Sequence, residues 1–313
     1  MKVIAWDGQR ISMPGLYRNV PLADYHRGDI CDGPSISSSG LRMLWKMAPA
    51  YYWDKSPFNP ERDDSDDDNE NFILGRAAHH VICREAGFAT HFIIRPEKAP
   101  DGKAWHGNNK SCKDWLKTQK AIGKTVLSSA QVEQIRGMAM ALGRMPLYRK
   151  GILDGLIEHS MFWRDPVTGI WLKARPDCIP TTSGDFSDLK TTESVKYLDV
   201  QRAIDPEYGY GYIMQGALVL EGALALDMEI NSFSLVWAEK KRPFCTRVST
   251  LDDEDIARGA GCNRVALRTF QRCFTAKSWP GPGDEEDASF LRMSQAARDR
   301  IDARLEIELK EAA

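Results

Sequence analysis

The chain has 313 residues, of which 42% are hydrophobic and 27% charged, and its formal net charge is −2. This length suits one large α/β domain or two small ones, and the composition is ordinary for a soluble globular protein. No apolar run approaches the roughly 20 residues of a transmembrane helix, and the first residues lack the apolar core of a signal peptide, so we expect neither a membrane protein nor an exported one. Proteins that coat DNA without preference are usually basic, so any contact with DNA is expected to come from a local patch.

Seven cysteines are scattered along the chain, and none of them forms a CxxC pair. An odd number of widely spaced cysteines argues against a disulfide framework, a zinc ribbon and an iron–sulfur cluster. We therefore expect a protein of a reducing compartment, the cytoplasm.

The N-terminal segment, residues 1–60, is predicted to be an extension that packs on the core. Its serine run at 37–39 predicts the start of a helix that ends before Pro49. An aromatic cluster of Tyr51, Tyr52 and Trp53 follows. We expect this cluster to pack the extension on the core, and stacking on the bases of single-stranded DNA is the alternative.

An acidic run at residues 63–70, DDSDDDNE, is typical of a solvated loop. We assign it no catalytic role, because a metal site needs ligands in a fixed geometry. The stretch 71–85 then has helical periodicity, and one helix face carries Phe72, Gly75, His79, Ile82 and Cys83. This pattern predicts that His79 points inward and that His80 lies nearer the flank.

Residues 98–127 are predicted to form a loop and a basic helix, the densest positive region of the chain. Its lysines are interleaved with Trp105 and Trp115, and they are Lys103, Lys110, Lys113, Lys117, Lys120 and Lys124. Two interpretations stay open, a solvated helix face and a patch that contacts phosphates. A second amphipathic helix is predicted at 128–142, capped by Ser128 or Ser129.

From about residue 152 the hydrophobic period becomes that of strands. Strands are predicted at 157–163, 170–179 and 185–192, and the short links between them predict an antiparallel meander. Helices at 208–226 and 251–274 and strands at 232–238 and 244–248 follow. The breaker at 279–283 precedes a charged, helical tail, so we expect a main domain at 61–283 and a tail at 284–313.

The motif with chemical content is Asp188-Leu-Lys190, preceded by Asp177. Positions two apart on a strand face the same way, and hairpin pairing would bring Asp177 beside Asp188. Carboxylates of this kind hold Mg²⁺, which activates water and offsets charge on a phosphate. Lys190 would orient the water or stabilise the transition state. The carbonyl of Leu189 would add a ligand.

A lone D-x-K triplet is more often a surface ion pair than a catalytic site. Here the triplet belongs to an ordered series of parts, which are the inward His79, a strand glutamate and a helix beyond the triplet. His79 could supply a nitrogen ligand, which suits Mn²⁺ as well as Mg²⁺. The glutamate is Glu158, and the helix carries Tyr212 and Gln215. The series favours phosphodiester hydrolysis.

These parts resemble those of the RecE-type exodeoxyribonuclease VIII group of the PD-(D/E)XK nuclease superfamily. The matching segments are GRAAH at 75–79, EHSMFW at 158–163, KARPD at 173–177, DLKTT at 188–192 and GYIMQ at 211–215. The resemblance spans about residues 30–282 and implies an α/β fold with a central mixed β-sheet flanked by helices. Carried over by position, it implies metal ligands at His79, Asp177 and Asp188, a catalytic lysine at Lys190, and a bordering helix with Tyr212 and Gln215. Glu158 would touch a second metal or only pair with Lys173 or Arg175.

The function that the resemblance implies is metal-dependent exonuclease activity on the ends of linear double-stranded DNA. Digestion would run 5′ to 3′ and leave 3′ overhangs, for homologous recombination or phage DNA processing. A single-strand annealing recombinase as partner and a homo-oligomeric ring are further implications. The alternatives are a RecB- or Cas4-like nuclease acting on single strands, and a catalytically inactive DNA-binding phage protein of the same fold.

Overall fold

The computed structural model describes residues 2–63, 70–284, 288 and 291–311. The chain separates into two compact units, Met1–Trp279 and Pro280–Ala313. Most of the acidic run at 63–70 and the start of the charged tail lie outside the described residues. Within the part that is described, no helix combines the length and the apolar composition that crossing a membrane requires. The predicted domain boundaries, at residues 60 and 283, stay predictions.

The described strands of the first unit form three sheets. In chain order, the strands are β1 (Val3–Ala5), β2 (Gly15–Arg18), β3 (Ser35–Ser37), β4 (Phe92–Ile94), β5 (Thr125–Leu127), β6 (Ser160–Arg164), β7 (Trp171–Ala174), β8 (Asp185–Thr192), β9 (Ser232–Glu239) and β10 (Thr246–Thr250).

Helices lie between and around these sheets, as expected for the α/β class. Those of the first unit are α1 (Leu22–Tyr25), α2 (Ser38–Lys46), α3 (Pro49–Lys55), α4 (Glu70–Ile82), α5 (Phe88–His91), α6 (Lys110–Ala121), α7 (Ser129–Arg144), α8 (Pro146–Arg149), α9 (Tyr197–Ile204), α10 (Tyr212–Ala225) and α11 (Asp253–Ala276). The second unit contains α12 (Gln295–Glu311). Mixed sheets flanked by helices confirm the predicted fold class.

The largest sheet has the strand order β1-β2-β6-β7-β3 and mixes parallel with antiparallel pairs. Strands β6 and β7 form the antiparallel hairpin at its centre, as the sequence predicts. Three strands of this sheet, β1, β2 and β3, come from the N-terminal 60 residues.

A second sheet, β10-β9-β8, holds the D-x-K triplet. Strand β8 pairs in parallel with β9 through a crossover that contains α9 and α10, so the prediction of a three-stranded antiparallel meander is wrong for β8. The physical reason lies in the segment after β7, where Pro176 and Pro180 lack the N–H groups that a ladder needs. The chain there leaves one sheet and pairs with β8 of the next through an isolated antiparallel bridge between Cys178 and Ser187.

Helix α10 lies close to α11, and this contact fixes the start of α10. A Cβ atom at Gly259 would lie 2.4 Å from the carbonyl oxygen of Ile213, so only glycine allows the helices to approach this far. Asn263 then donates a hydrogen bond from Nδ2 to the carbonyl of Met214 (2.8 Å). The first turn of α10 is thereby held in place.

Two residues of the aromatic cluster at 51–53, Tyr52 and Trp53, pack against the core of the first unit, whereas Tyr51 is exposed. Trp53 stacks on Trp279 with ring centroids 5.3 Å apart, and Tyr52 is buried against Trp279 and Phe270. The packing interpretation of Tyr52 and Trp53 is therefore confirmed.

Candidate active site

Strand β8 carries the acidic and basic side chains of the candidate site. Asp188 and Lys190 project from the same face, as their spacing predicts. The two side chains form an ion pair, and Asp188 is buried. Phe186 belongs to the core cluster that contains α10, whereas Leu189 packs with residues of α4 and α7. The alternation thus turns Asp188 and Lys190 toward α10.

Asp177 reaches this place from the segment after β7. Its Oδ2 accepts a hydrogen bond from the backbone N–H of Leu189 (2.6 Å), and its Oδ1 lies 3.1 Å from Nδ1 of His79. One carboxylate thereby joins helix α4 to strand β8. Asp177 and Asp188 meet as predicted, although the link is the isolated bridge at Cys178 rather than a continuous hairpin.

Burial and neighbouring charges shift the pKa values of the Asp177 and Asp188 carboxyl groups in opposite directions. Burial raises the pKa of the Asp177 carboxyl, but the attraction of His79, Lys190 and the Leu189 N–H outweighs it, so the pKa lies below its usual value. Burial and the negative charge of Asp177 raise the pKa of Asp188, against the attraction of Lys190. Two carboxylates that repel one another, Asp188 buried and Asp177 partly buried, form an environment that a divalent cation would stabilise.

The donor set fits a hard divalent cation. Ligand atoms of His79, Cys83 and Asp177 all lie within 4.8 Å of one another. Burial raises the pKa of the Cys83 thiol, so the thiol stays protonated and is a poor ligand. Of this group the imidazole of His79 and the carboxylate of Asp177 remain. Asp188, whose charge interacts with that of Asp177, would add a second carboxylate, and such a set suits Mg²⁺ or Mn²⁺. The carbonyl of Leu189 as a ligand stays a prediction.

The two histidines of α4 differ from the predicted arrangement. His80 is the more buried of the two, at 5% exposed, and its ring packs against Phe88 and Phe92. Phe72, expected on the inward face, is 65% exposed. The prediction that His80 lies on the flank is therefore wrong, because the apolar residues of α5 and β4 cover that side of the helix. His79 is the histidine that faces Asp177.

Tyr212 and Gln215, at the start of α10, border the site. The Nζ of Lys190 lies 4.6 Å from the centroid of the Tyr212 ring, a cation–π distance. The side-chain oxygen of Gln215 is buried and accepts no hydrogen bond within the described residues. The structure thus brings Tyr212 into contact with Lys190 and leaves Gln215 with an unused acceptor.

Glu158 lies before β6 rather than inside a strand. Its backbone has a φ of 58°, in the left-handed region, so the prediction of a strand glutamate is wrong. Its side chain is 49% exposed and lies 3.8 Å from Arg175, one of the two predicted partners. Lys173, the other, instead donates hydrogen bonds to the carbonyls of Tyr25 and Arg27.

Glu85 interacts with the charged groups of the candidate site, a role that its position in the sequence did not predict. Burial, followed by the charge of Glu158, raises the pKa of its carboxyl to about 7. The charges of His79 and Asp177 also act on Glu85. Nothing in the spacing of Glu85 signals this position, because it depends on how the chain turns after α4.

The predicted basic helix is α6, and its lysines cover an outer face. Lys113, Lys117 and Lys120 are exposed, at spacings of one helical turn, while Cys112 on the opposite side is buried. The tryptophans are engaged elsewhere, since Trp105 and Trp115 pack edge to face with centroids 5.5 Å apart. The side chains of Lys113 and Lys117 thus face solvent, where anions can reach them.

A salt titration distinguishes the two interpretations of the α6 lysines. If they contact phosphates, replacing Lys113, Lys117 and Lys120 with Ala should weaken DNA binding and flatten its salt dependence, with a slope change of up to about 0.9 for each lost contact. The measurement is affinity for a linear duplex as a function of salt concentration. An unchanged slope would identify a solvated helix face.

Comparisons with known proteins concern the family and the fold of the chain. A structure of a candidate exonuclease from Eubacterium rectale matches with a TM-score of 0.55 and 15% identity, covering 88% of this chain and 93% of that one. An alkaline exonuclease from Laribacter hongkongensis matches at 11% identity and a TM-score of 0.25, over 55% of this chain and 87% of that one. No curated protein matches significantly. The family model described as a PDDEXK-like domain of unknown function, DUF3799, matches residues 37–290, and the chain therefore belongs to this family and has the PD-(D/E)XK nuclease-like fold.

Proposed function

We propose that this protein is a metal-dependent exodeoxyribonuclease that degrades linear double-stranded DNA from its ends. The single observation that carries the proposal is the joined set of charges at β8, in which Asp188 is buried and His79, Asp177 and Lys190 are partly buried. The ion pair of Asp188 and Lys190 and the close pair of Asp177 and His79 are linked through the backbone N–H of Leu189. A surface ion pair, the ordinary explanation of a D-x-K triplet, would be exposed.

The residues divide the chemistry of phosphodiester hydrolysis among them. His79, Asp177 and Asp188 would hold the cation, Mg²⁺ in the cell with Mn²⁺ as a substitute. When bound, that cation supplies the Lewis acidity that activates water and offsets negative charge on the phosphate. Lys190 places its ammonium beside the same carboxylates, where it would stabilise charge that develops on the phosphate oxygens. The ring of Tyr212 limits where that ammonium can move.

The finer assignment follows the resemblance to the RecE-type group. We propose digestion from 5′ to 3′, leaving a 3′ overhang for a single-strand annealing recombinase, in cytoplasmic recombination or phage DNA processing. A ring-shaped homo-oligomer belongs to the same proposal. The resemblance in fold to the Eubacterium rectale protein supports the nuclease assignment at the level of architecture.

The first test is metal dependence on labelled DNA. Mg²⁺ or Mn²⁺ should support cleavage of a linear duplex, while Ca²⁺ should bind without supporting it well, because its looser coordination positions water poorly. The measurement compares duplexes labelled at the 5′ or the 3′ end, with each metal and with EDTA. Full activity in excess EDTA would overturn the metal-dependent mechanism.

A covalently closed circular duplex of the same sequence is the matched control. An exonuclease needs an end, so the circle should stay intact while the linear form is digested. Release of the 5′ label first, as mononucleotides, supports the proposed polarity. Cutting of the circle would assign an endonuclease, and digestion of single strands alone would favour the RecB-like alternative.

A further inference from the structure

The loop between α9 and α10, residues 205–211, presents two tyrosines to solvent beside the candidate active site. Tyr208 is 73% exposed and Tyr210 is 68% exposed. Singly exposed aromatic residues are common on protein surfaces. These two lie on one short loop, immediately before helix α10, whose Tyr212 contacts Lys190.

Backbone interactions hold this loop in place. The side chain of Asp205 accepts hydrogen bonds from the N–H groups of Glu207 (2.7 Å) and Tyr208 (2.9 Å). The backbone carbonyl of Asp205 accepts from Gly209 and Gly211. A Cβ atom at Gly209 would lie 1.9 Å from the carbonyl oxygen of Arg202, so the chain path there requires glycine. The exposed tyrosines therefore stand on a preorganised support.

Two cationic side chains of α2 donate hydrogen bonds to backbone carbonyls of the loop. Arg42 donates from Nη1 to the carbonyl of Tyr210 (2.7 Å), and Lys46 donates from Nζ to the carbonyl of Gly209 (3.1 Å). The guanidinium of Arg42 also lies 5.8 Å from the Tyr212 ring centroid.

The rings form a tyrosine stack, Tyr210 on Tyr212, that ends at the catalytic lysine. The two ring centroids are 5.5 Å apart with an interplanar angle of 29°. Tyr212 in turn contacts the Nζ of Lys190 at 4.6 Å. An exposed aromatic ring is thus connected, through a single intervening ring, to the group that would act on the scissile phosphate.

We propose that Tyr210 is a substrate-binding residue that stacks on the nucleobase next to the scissile phosphate. The proposal rests on the proposed nuclease function. Bases within a duplex have both faces covered by their neighbours, so the ligand is a base with a free face, the terminal nucleotide of the strand being cut. Aromatic stacking of this kind tolerates any sequence, because every base has a π-face. The stack therefore selects a frayed strand end without selecting a sequence.

The experiment is a double-mutant cycle in which the Tyr210 ring and the terminal nucleobase are removed separately and together. Oligonucleotide duplexes carry an abasic nucleotide at the 5′ or the 3′ terminal position, and affinity is measured with Ca²⁺ in place of Mg²⁺. Wild-type protein should lose about 10-fold in affinity when the contacted base is removed, the order expected for one stacked base. Tyr210→Ala should lose about as much with the intact base and little more with the abasic one, since the same contact is removed twice.

Two further variants make the cycle specific. Tyr210→Phe keeps the ring and should retain the wild-type sensitivity to base removal. Tyr51→Ala removes another exposed tyrosine, on α3, and should leave affinity unchanged. Suppose that the wild type cuts DNA, and that removing the base lowers the DNA affinity of Tyr210→Ala by the same factor as that of the wild type. This result would overturn the stacking assignment and leave the nuclease function standing. A wild type that neither binds nor cuts DNA would overturn both this assignment and the nuclease function.

Discussion

Replacing Lys190 with Ala is expected to abolish cleavage while the protein still binds DNA. The ammonium contacts Asp188, and in the proposed mechanism it stabilises charge that develops on the phosphate, so its interaction would be strongest in the transition state. Losing one such group typically lowers kcat on the order of 100- to 1000-fold. Binding in the ground state should change little, because Lys190 is one cation among the many that contact phosphates. Single-turnover cleavage beside a DNA-binding titration measures both effects.

Two other variants separate catalysis from stability. Lys190→Met keeps an unbranched side chain against the Tyr212 ring and should be as inactive as Lys190→Ala, with a smaller loss in the thermal melt. Lys241→Ala removes a lysine of equal charge that is exposed and pairs with Glu193, and it should cleave normally. Wild-type cleavage rates in purified Lys190→Ala protein would show that the catalytic assignment is wrong. If the wild type binds DNA but never cuts it with any metal, the inactive alternative is correct.

Asp188→Asn is expected to be at least as damaging as Lys190→Ala, through loss of a metal ligand. The amide keeps the size of the side chain and an oxygen near Lys190, so the folded state should persist. A cation that binds only the folded protein raises its stability by about 2.7 kcal/mol at a concentration 100 times its Kd. Mn²⁺ should therefore raise the melting temperature of the wild type and fail to raise that of Asp188→Asn.

Asp185→Asn is the matched control for this second variant. Asp185 lies on the same strand, at its exposed end, where it accepts a hydrogen bond from Ser232 (2.8 Å). The control should keep both cleavage and the Mn²⁺-induced rise in melting temperature. An undiminished Mn²⁺ effect in Asp188→Asn would show that the cation is held elsewhere.

Local signals in the sequence predict several elements well. Ser128 forms a capping box with Gln131 at the start of α7, where the serine cap was expected. The spacing of Asp188 and Lys190 fixes a common face on any strand, whatever sheet that strand joins. Such features depend on neighbours in the chain, and for that reason they can be predicted without a tertiary structure.

Features that depend on distant partners could not be predicted in this way. The pairing of β8 with β9 is set by burial across a long crossover, and the short link from β7 misleadingly indicates a hairpin. Residues 208–211, expected to be helical, form a loop, because Gly211 has a φ of 68° and α10 begins only after it. The location of Glu85 near the site likewise follows from tertiary packing and leaves no pattern of spacing, whereas Cys83 lies one helical turn after His79 and was expected on the same face.

In the loop at residues 205–211, the groups that fix the backbone are different from the side chains that are exposed to solvent. Its path depends on the Asp205 carboxylate, on backbone carbonyls and on glycine at position 209, whereas the rings of Tyr208 and Tyr210 contribute none of those hydrogen bonds. Mutations at the two tyrosines can therefore accumulate without displacing the chain, while a mutation at Gly209 cannot. Under the role proposed for Tyr210, substitutions on this loop would change its contacts with a DNA end while the charges on β8 stay where they are.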